Sequence, residues 1–208
     1  MSLRLLPFRQ YHDNDVINMF ALEDGSVNEN VTGVGNGDAG VFVKVTAGDF
    51  NADPVAYGAD SYLGKTDYPH VGFAQYPKVA KKVAPVTSGD MPLGLTLSQT
   101  AKFDENGEKL LYYPQKLAEL HAVLPGQAVP IATKGIFTIT ANAFDGTITG
   151  GDYAVGTGIR VSDSNAGKVT GVAPSDAASI GMVIGTGSRT SRTNTDQFAG
   201  EYLVIKLG

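Results

Sequence analysis

Cysteine and tryptophan are both absent from the 208 residues, and charged side chains are scarce at 18%. Without cysteine there are no disulfides, thiolate metal ligands, Fe–S clusters or cysteine nucleophiles, which excludes the small disulfide-stapled secreted modules. The lack of tryptophan speaks against a carbohydrate-stacking cleft. No apolar run approaches the ~18–20 residues that span a bilayer. Arg4, Pro7 and Arg9 interrupt the first segment before it becomes the apolar stretch of a secretory signal. Lys and Arg number 16 against 21 Asp and Glu, a net charge of −5, so no broad cationic footprint for a phosphate backbone is present. The densest cationic cluster (Lys78, Lys81 and Lys82) and the pair Arg189 and Arg192 read as solvated or interfacial. The expectation is a soluble protein made in the cytoplasm, with no nucleic-acid and no membrane partner.

What is abundant is glycine, 26 residues, with nine tyrosines, nine phenylalanines and an ordinary 42% of hydrophobic residues. A chain of this length makes one large domain or two small ones and buries a core without staples. Short β-branched and aromatic runs dominate, and helical periodicity is weak. They include Val41 to Thr46, Gly135 to Thr140, and Glu201 to Leu207, where alternation puts Leu203, Ile205 and Leu207 on one face. Asp24-Gly25, Asn36-Gly37, Asn106-Gly107 and Asp145-Gly146 punctuate these runs as tight-turn dipeptides. Many short strands with frequent turns predict an all-β fold, a sandwich or barrel.

Two segments are ambiguous. Asp13 to Leu22 opens with good capping residues, yet its apolar positions suit an extended arm equally well. Lys116 to Leu124 contains good helix formers, but Pro114 and Pro125 leave little room and the alternation favours a strand. Composition divides the chain into an N-terminal arm (1–24), a loop-rich β region (25–118) and a compact β-barrel-like domain (119–208). The Asp104 to Glu108 segment looks like an exposed hairpin tip, and Gly185 to Asp196 like a polar loop.

Motifs for chemistry are weak. Gly35 to Gly40 has the G-x-G-x-x-G spacing but leads into a strand pattern, whereas a dinucleotide site requires a helix. Gly64-Lys65-Thr66 lacks the glycine that a phosphate loop places five residues earlier, because position 59 is Ala59. His12, His70 and His121 are dispersed, against the clustering of metal ligands. No serine elbow is present. These patterns predict no catalytic residue, no metal and no cofactor, hence no enzyme.

From residue 121 onward a specific order emerges. Val123 to Pro130 precedes Lys134 to Ile139; Gly151-Asp152 enters Tyr153 to Val155; Val161-Ser162-Asp163 and Gly167-Lys168-Val169-Thr170 form a hairpin; Ile180-Gly181-Met182-Val183-Ile184-Gly185 and the last apolar strand follow. This order resembles small β-barrel decoration (cement) proteins of tailed-bacteriophage capsids, and is similar as well to β domains of other phage structural proteins. The resemblance covers about 90 residues. It implies a structural virion protein on the capsid surface, a homotrimer whose partner is the major capsid protein. It also gives the N-terminal segment a use as an arm, with Leu5, Leu6, Phe8, Arg9 and Tyr11 as partner-binding candidates beside Arg189 and Arg192. The alternative for that segment is an ordinary strand in the protein's own sheet. The alternative for the whole is a tail or baseplate protein that forms rings.

Overall fold

The computed structural model describes residues 3–31, 35–48, 55–56, 78–79, 81–148, 151–191 and 198–208. Arg192, Gly64-Lys65-Thr66, His70 and the tyrosines Tyr57, Tyr62, Tyr68 and Tyr76 lie outside these residues.

The described strands are, in chain order, β1 (Leu5–Gln10), β2 (Val16–Ile17), β3 (Ala21–Leu22), β4 (Asn28–Asn30), β5 (Phe42–Ala47), β6 (Val55–Ala56), β7 (Lys78–Val79), β8 (Lys82–Pro85) and β9 (Gly94–Thr96). They continue as β10 (Gln99–Phe103), β11 (Ala122–Val123), β12 (Ile131–Ala132), β13 (Gly135–Thr140), β14 (Gly158–Val161), β15 (Val169–Val172), β16 (Gly181–Arg189) and β17 (Gly200–Leu207). The fold is all-β, in open sheets. One six-stranded sheet has the order β1-β13-β17-β16-β14-β15, and a second the order β2-β12-β9-β5-β8-β3. A parallel trio, β11-β10-β4, stands beside them, and β6 pairs with β7. The expected barrel is not closed: β1 and β15 are the outermost strands of the first sheet.

The two large sheets share one core. The first contributes Leu5, Phe137, Ile139, Val183, Leu203, Ile205 and Leu207; the second contributes Phe42, Leu95 and Ala132. Alternation along a strand sends successive side chains to opposite faces. Phe42 therefore enters this core while Val41 and Val43 join Phe20, Val83 and Ile131 on the far side of the second sheet. The start of β5 is thus dry on both faces, while Val45 to Ala47 at its end are exposed.

Three sequence expectations change here. The N-terminal segment is not a free arm: β1 pairs antiparallel with β13, Leu5 opposite Ile139, and Leu5 and Leu6 are 7% and 1% exposed. Residues 114–119 form the one α-helix among the described residues, α1 (Pro114–Glu119), where a strand was expected. Pro114 opens it, since the first turn needs no N–H from that position. His121 closes it in the left-handed region, at φ 47°. Only the tail of the expected strand survives, as β11. Finally, Gly185 to Arg189 is the second half of β16 rather than a loop.

Asp104 is buried at the neck of the 104–108 tip, its carboxylate accepting from the N–H groups of Asn106 and Glu108 at 2.8 Å each. Lys81 is 3% exposed, so the lysine cluster is not a uniformly solvated patch. A polar knot ties the β14–β15 hairpin to the turn after β13. Asp145 accepts from Ser162 Oγ and from Asn165 Nδ2, with Lys168 Nζ 3.8 Å away. The Tyr153 hydroxyl donates to the Asp145 carbonyl beneath it. Burial pushes the Tyr153 phenol up to about 12, hydrogen bonding to Thr170 opposing it.

Candidate functional site

The outer face of the first sheet carries the clearest assembled surface. Opposite-face alternation points Leu203, Ile205 and Leu207 inward and leaves Tyr202, Val204 and Lys206 outward. Tyr202 pairs with Gly187, and its ring covers that glycine so closely that a Cβ there would sit 2.6 Å from the phenol carbon Cζ. The missing side chain is what lets the ring lie flat on the sheet. Arg189, two residues on, then places its guanidinium 5.3 Å from the Tyr202 ring centroid and 5.1 Å from that of Phe8. Both distances lie within cation–π range, worth about 0.5–1 kcal/mol each at an exposed site. Phe8 comes from β1 and Arg189 from β16, so the contact bridges the two strands between them. Phe8 is 62% exposed.

The structure therefore splits the sequence candidates into three groups. Phe8 and Arg189 come together, with Tyr202, which the sequence reading did not single out. Leu5 and Leu6 are internal and unavailable to a partner as they stand. Arg9 and Tyr11 face a different region: Arg9 Nη1 donates to the Leu97 carbonyl at 3.4 Å, and Tyr11 stacks on Phe137 at 5.9 Å between centroids.

That region holds a cavity of about 260 Å³ between β1 and the loops that carry Leu97 and His121. Arg4, in the residue before β1, lies on its wall and is 5% exposed. Its Nε is 3.8 Å from Asp38 Oδ2, an ion pair without a hydrogen bond. Asp38 spends its own oxygens elsewhere, accepting from Asn28 Nδ2 at 2.6 Å and from the Gly35 N–H at 2.9 Å. Burial lowers the Arg4 pKa, with Asp38 opposing; burial likewise raises that of Asp38, with the Gly35 N–H, the Asn28 amide and Arg4 opposing. Neither residue stood out in the sequence. The available signals were an arginine set among Leu3, Leu5 and Leu6, and an acid inside a glycine-rich turn.

His12 acts locally, its Nδ1 accepting from the Asn14 N–H at 3.2 Å. Ser162, the serine of the polar knot, is 1% exposed, its Oγ accepting from the N–H groups of Ser164 and Asn165. Among the described residues, no three His, Asp or Glu side chains converge on a possible metal position, and no helix is long and apolar enough to cross a membrane. Compared with known protein families, curated proteins and solved structures, the chain matches none.

Proposed function

We propose that this chain is a structural virion protein that binds the outer surface of a tailed-phage capsid and ties neighbouring major capsid protein subunits together, as a homotrimer. The observation that carries the reading is the Phe8–Arg189–Tyr202 patch, in which Phe8 is exposed and Arg189 and Tyr202 are half-buried. Aromatic and arginine side chains are the anchors that protein interfaces favour, and here they stand preassembled on a rigid sheet. Holding the guanidinium between two rings fixes it before contact, which lowers the ordering cost of association. The capsid as partner rests on the order of sequence motifs from residue 121 to 208, which resembles that of decoration proteins. The mechanism is mechanical: one sheet face grips adjacent subunits, so that internal pressure is shared over several contacts.

The test uses expanded capsids lacking this protein. Added protein should bind them and raise their resistance to heat. The double variant Phe8→Ala with Arg189→Ala should keep its far-UV circular dichroism and lose most of the binding. Capsids that neither bind the protein nor gain robustness overturn the proposal. Light scattering on the free protein supplies a second check: a trimer agrees with it, and a hexameric ring moves the assignment to the tail.

A further inference from the structure

We propose that the cavity beside β1 is a binding site for a carboxylate carried on a short aliphatic body. The inference rests on Arg4 and its surroundings and does not depend on the virion reading. Two of the three guanidinium nitrogens of Arg4, Nε and Nη1, are fully buried and have no hydrogen-bond acceptor. Buried charged donors in folded proteins are nearly always paired, so an orphaned pair of them calls for an explanation. Asp38 does not provide it. It stands 3.8 Å from Nε as an ion pair without a hydrogen bond, while its oxygens accept from Asn28 and Gly35. A guanidinium presents parallel N–H groups that a carboxylate matches two-to-two, a match that a neutral acceptor lacks.

The rest of the lining fits the same ligand. Leu6, Val31, Leu97, Leu120 and Phe198 supply apolar walls. Arg9, on the same cavity, adds a second cation, so that two arginines stand against the one carboxylate of Asp38. The volume, about 260 Å³, is at the small end of ligand cavities and suits a short chain rather than a long lipid tail. Entry requires the Arg4 side chain, now covered, to turn outward by a rotamer change toward the cavity that it already borders.

The experiment is a titration of the full-length ¹⁵N-labelled protein followed by NMR, reading the Arg4 Nε–H signal and the backbone amides of Leu6 and Leu97. Three probes are used: octanoate, octanol, and N-acetyl-leucyl-leucine with its free carboxylate. The expected result is saturable movement of all three signals with octanoate or the dipeptide, and none with octanol at equal concentration. Arg4→Met should weaken carboxylate binding by about tenfold or more. Octanoate alone binding assigns the site to a free aliphatic acid, whereas tighter binding of the dipeptide assigns it to a polypeptide C-terminus. Equal shifts by octanol and octanoate, or silence with both carboxylates, overturns the proposal. The probe comparison in the unaltered protein keeps the test valid if Arg4→Met does not fold.

Discussion

Truncating Leu5 to alanine separates a strand of the protein's own sheet from an arm that docks elsewhere. Leu5 is 7% exposed and lies against Ile139 in the shared core. The substitution removes three buried carbons, about 2.4 kcal/mol at ~0.8 kcal/mol each. The cavity left behind raises the total to about 3–4 kcal/mol, within the range of Leu→Ala changes in tight cores. With a urea slope of roughly 2 kcal/mol/M for a chain of this size, the unfolding midpoint should fall by about 1.5–2 M. Phe8→Ala, three residues away on the same strand, is the internal control. Its ring is 62% exposed and forfeits one cation–π contact, so the midpoint should move by no more than about 0.5 M. Equilibrium urea unfolding followed by circular dichroism reads both. If Leu5→Ala shifts the midpoint no further than Phe8→Ala does, β1 is not part of the core and the packing argument fails.

Gly181→Ala should lower the melting temperature by several degrees in calorimetry, because its Cβ would press on the backbone carbonyl of Lys206 across the β16–β17 ladder. Overpacking of this kind typically costs about 1–3 kcal/mol, at about 2–4 °C per kcal/mol for a domain of this size. Tyr153 gives a pH prediction. Its phenol stays protonated to about pH 12 in the folded chain, while an unfolded tyrosine ionises near pH 10. Between those values the folded state holds the extra proton, so stability falls as pH rises. The 295 nm absorbance titration of the unaltered chain, minus that of Tyr153→Phe, should show a tyrosine ionising near pH 12 rather than pH 10.

The strands that stand clear in the sequence are those whose side chains alternate or are buried on both faces. β5, β13 and β17 are read from their β-branched and aromatic residues alone, and Leu203, Ile205 and Leu207 do share the buried face. The turn dipeptides Asn106-Gly107 and Asp145-Gly146 also hold, with both glycines at positive φ. Strands of two residues, such as β2, β3, β11 and β12, carry no periodicity, because they are made by pairing with distant partners rather than by local preference. The helix at residues 114–119 was hidden by its own proline, which is a barrier inside a helix and an initiator at its first turn. The surface patch was half legible. Phe8 and Arg189 are recognisable types for an interface, but nothing local shows that residues 8, 189 and 202 meet. Arg4 was least legible of all, since burial of a charge depends on what packs around it.

The position of β17 has a consequence for how the chain is made. It runs between β13 and β16, at the middle of the first sheet, yet it is made after the other five strands of that sheet. At ~5–20 residues per second, some 10–40 s separate the appearance of β1 from that of β17. Through that interval β1 has at most β13 to pair with, and Leu5 and Leu6 wait for a core whose central strand does not yet exist. The sheet is therefore completed only once residues 200–207 have left the ribosome. A ribosome that stalls before Gly200 leaves β13 and β16 with facing edges and nothing to join them.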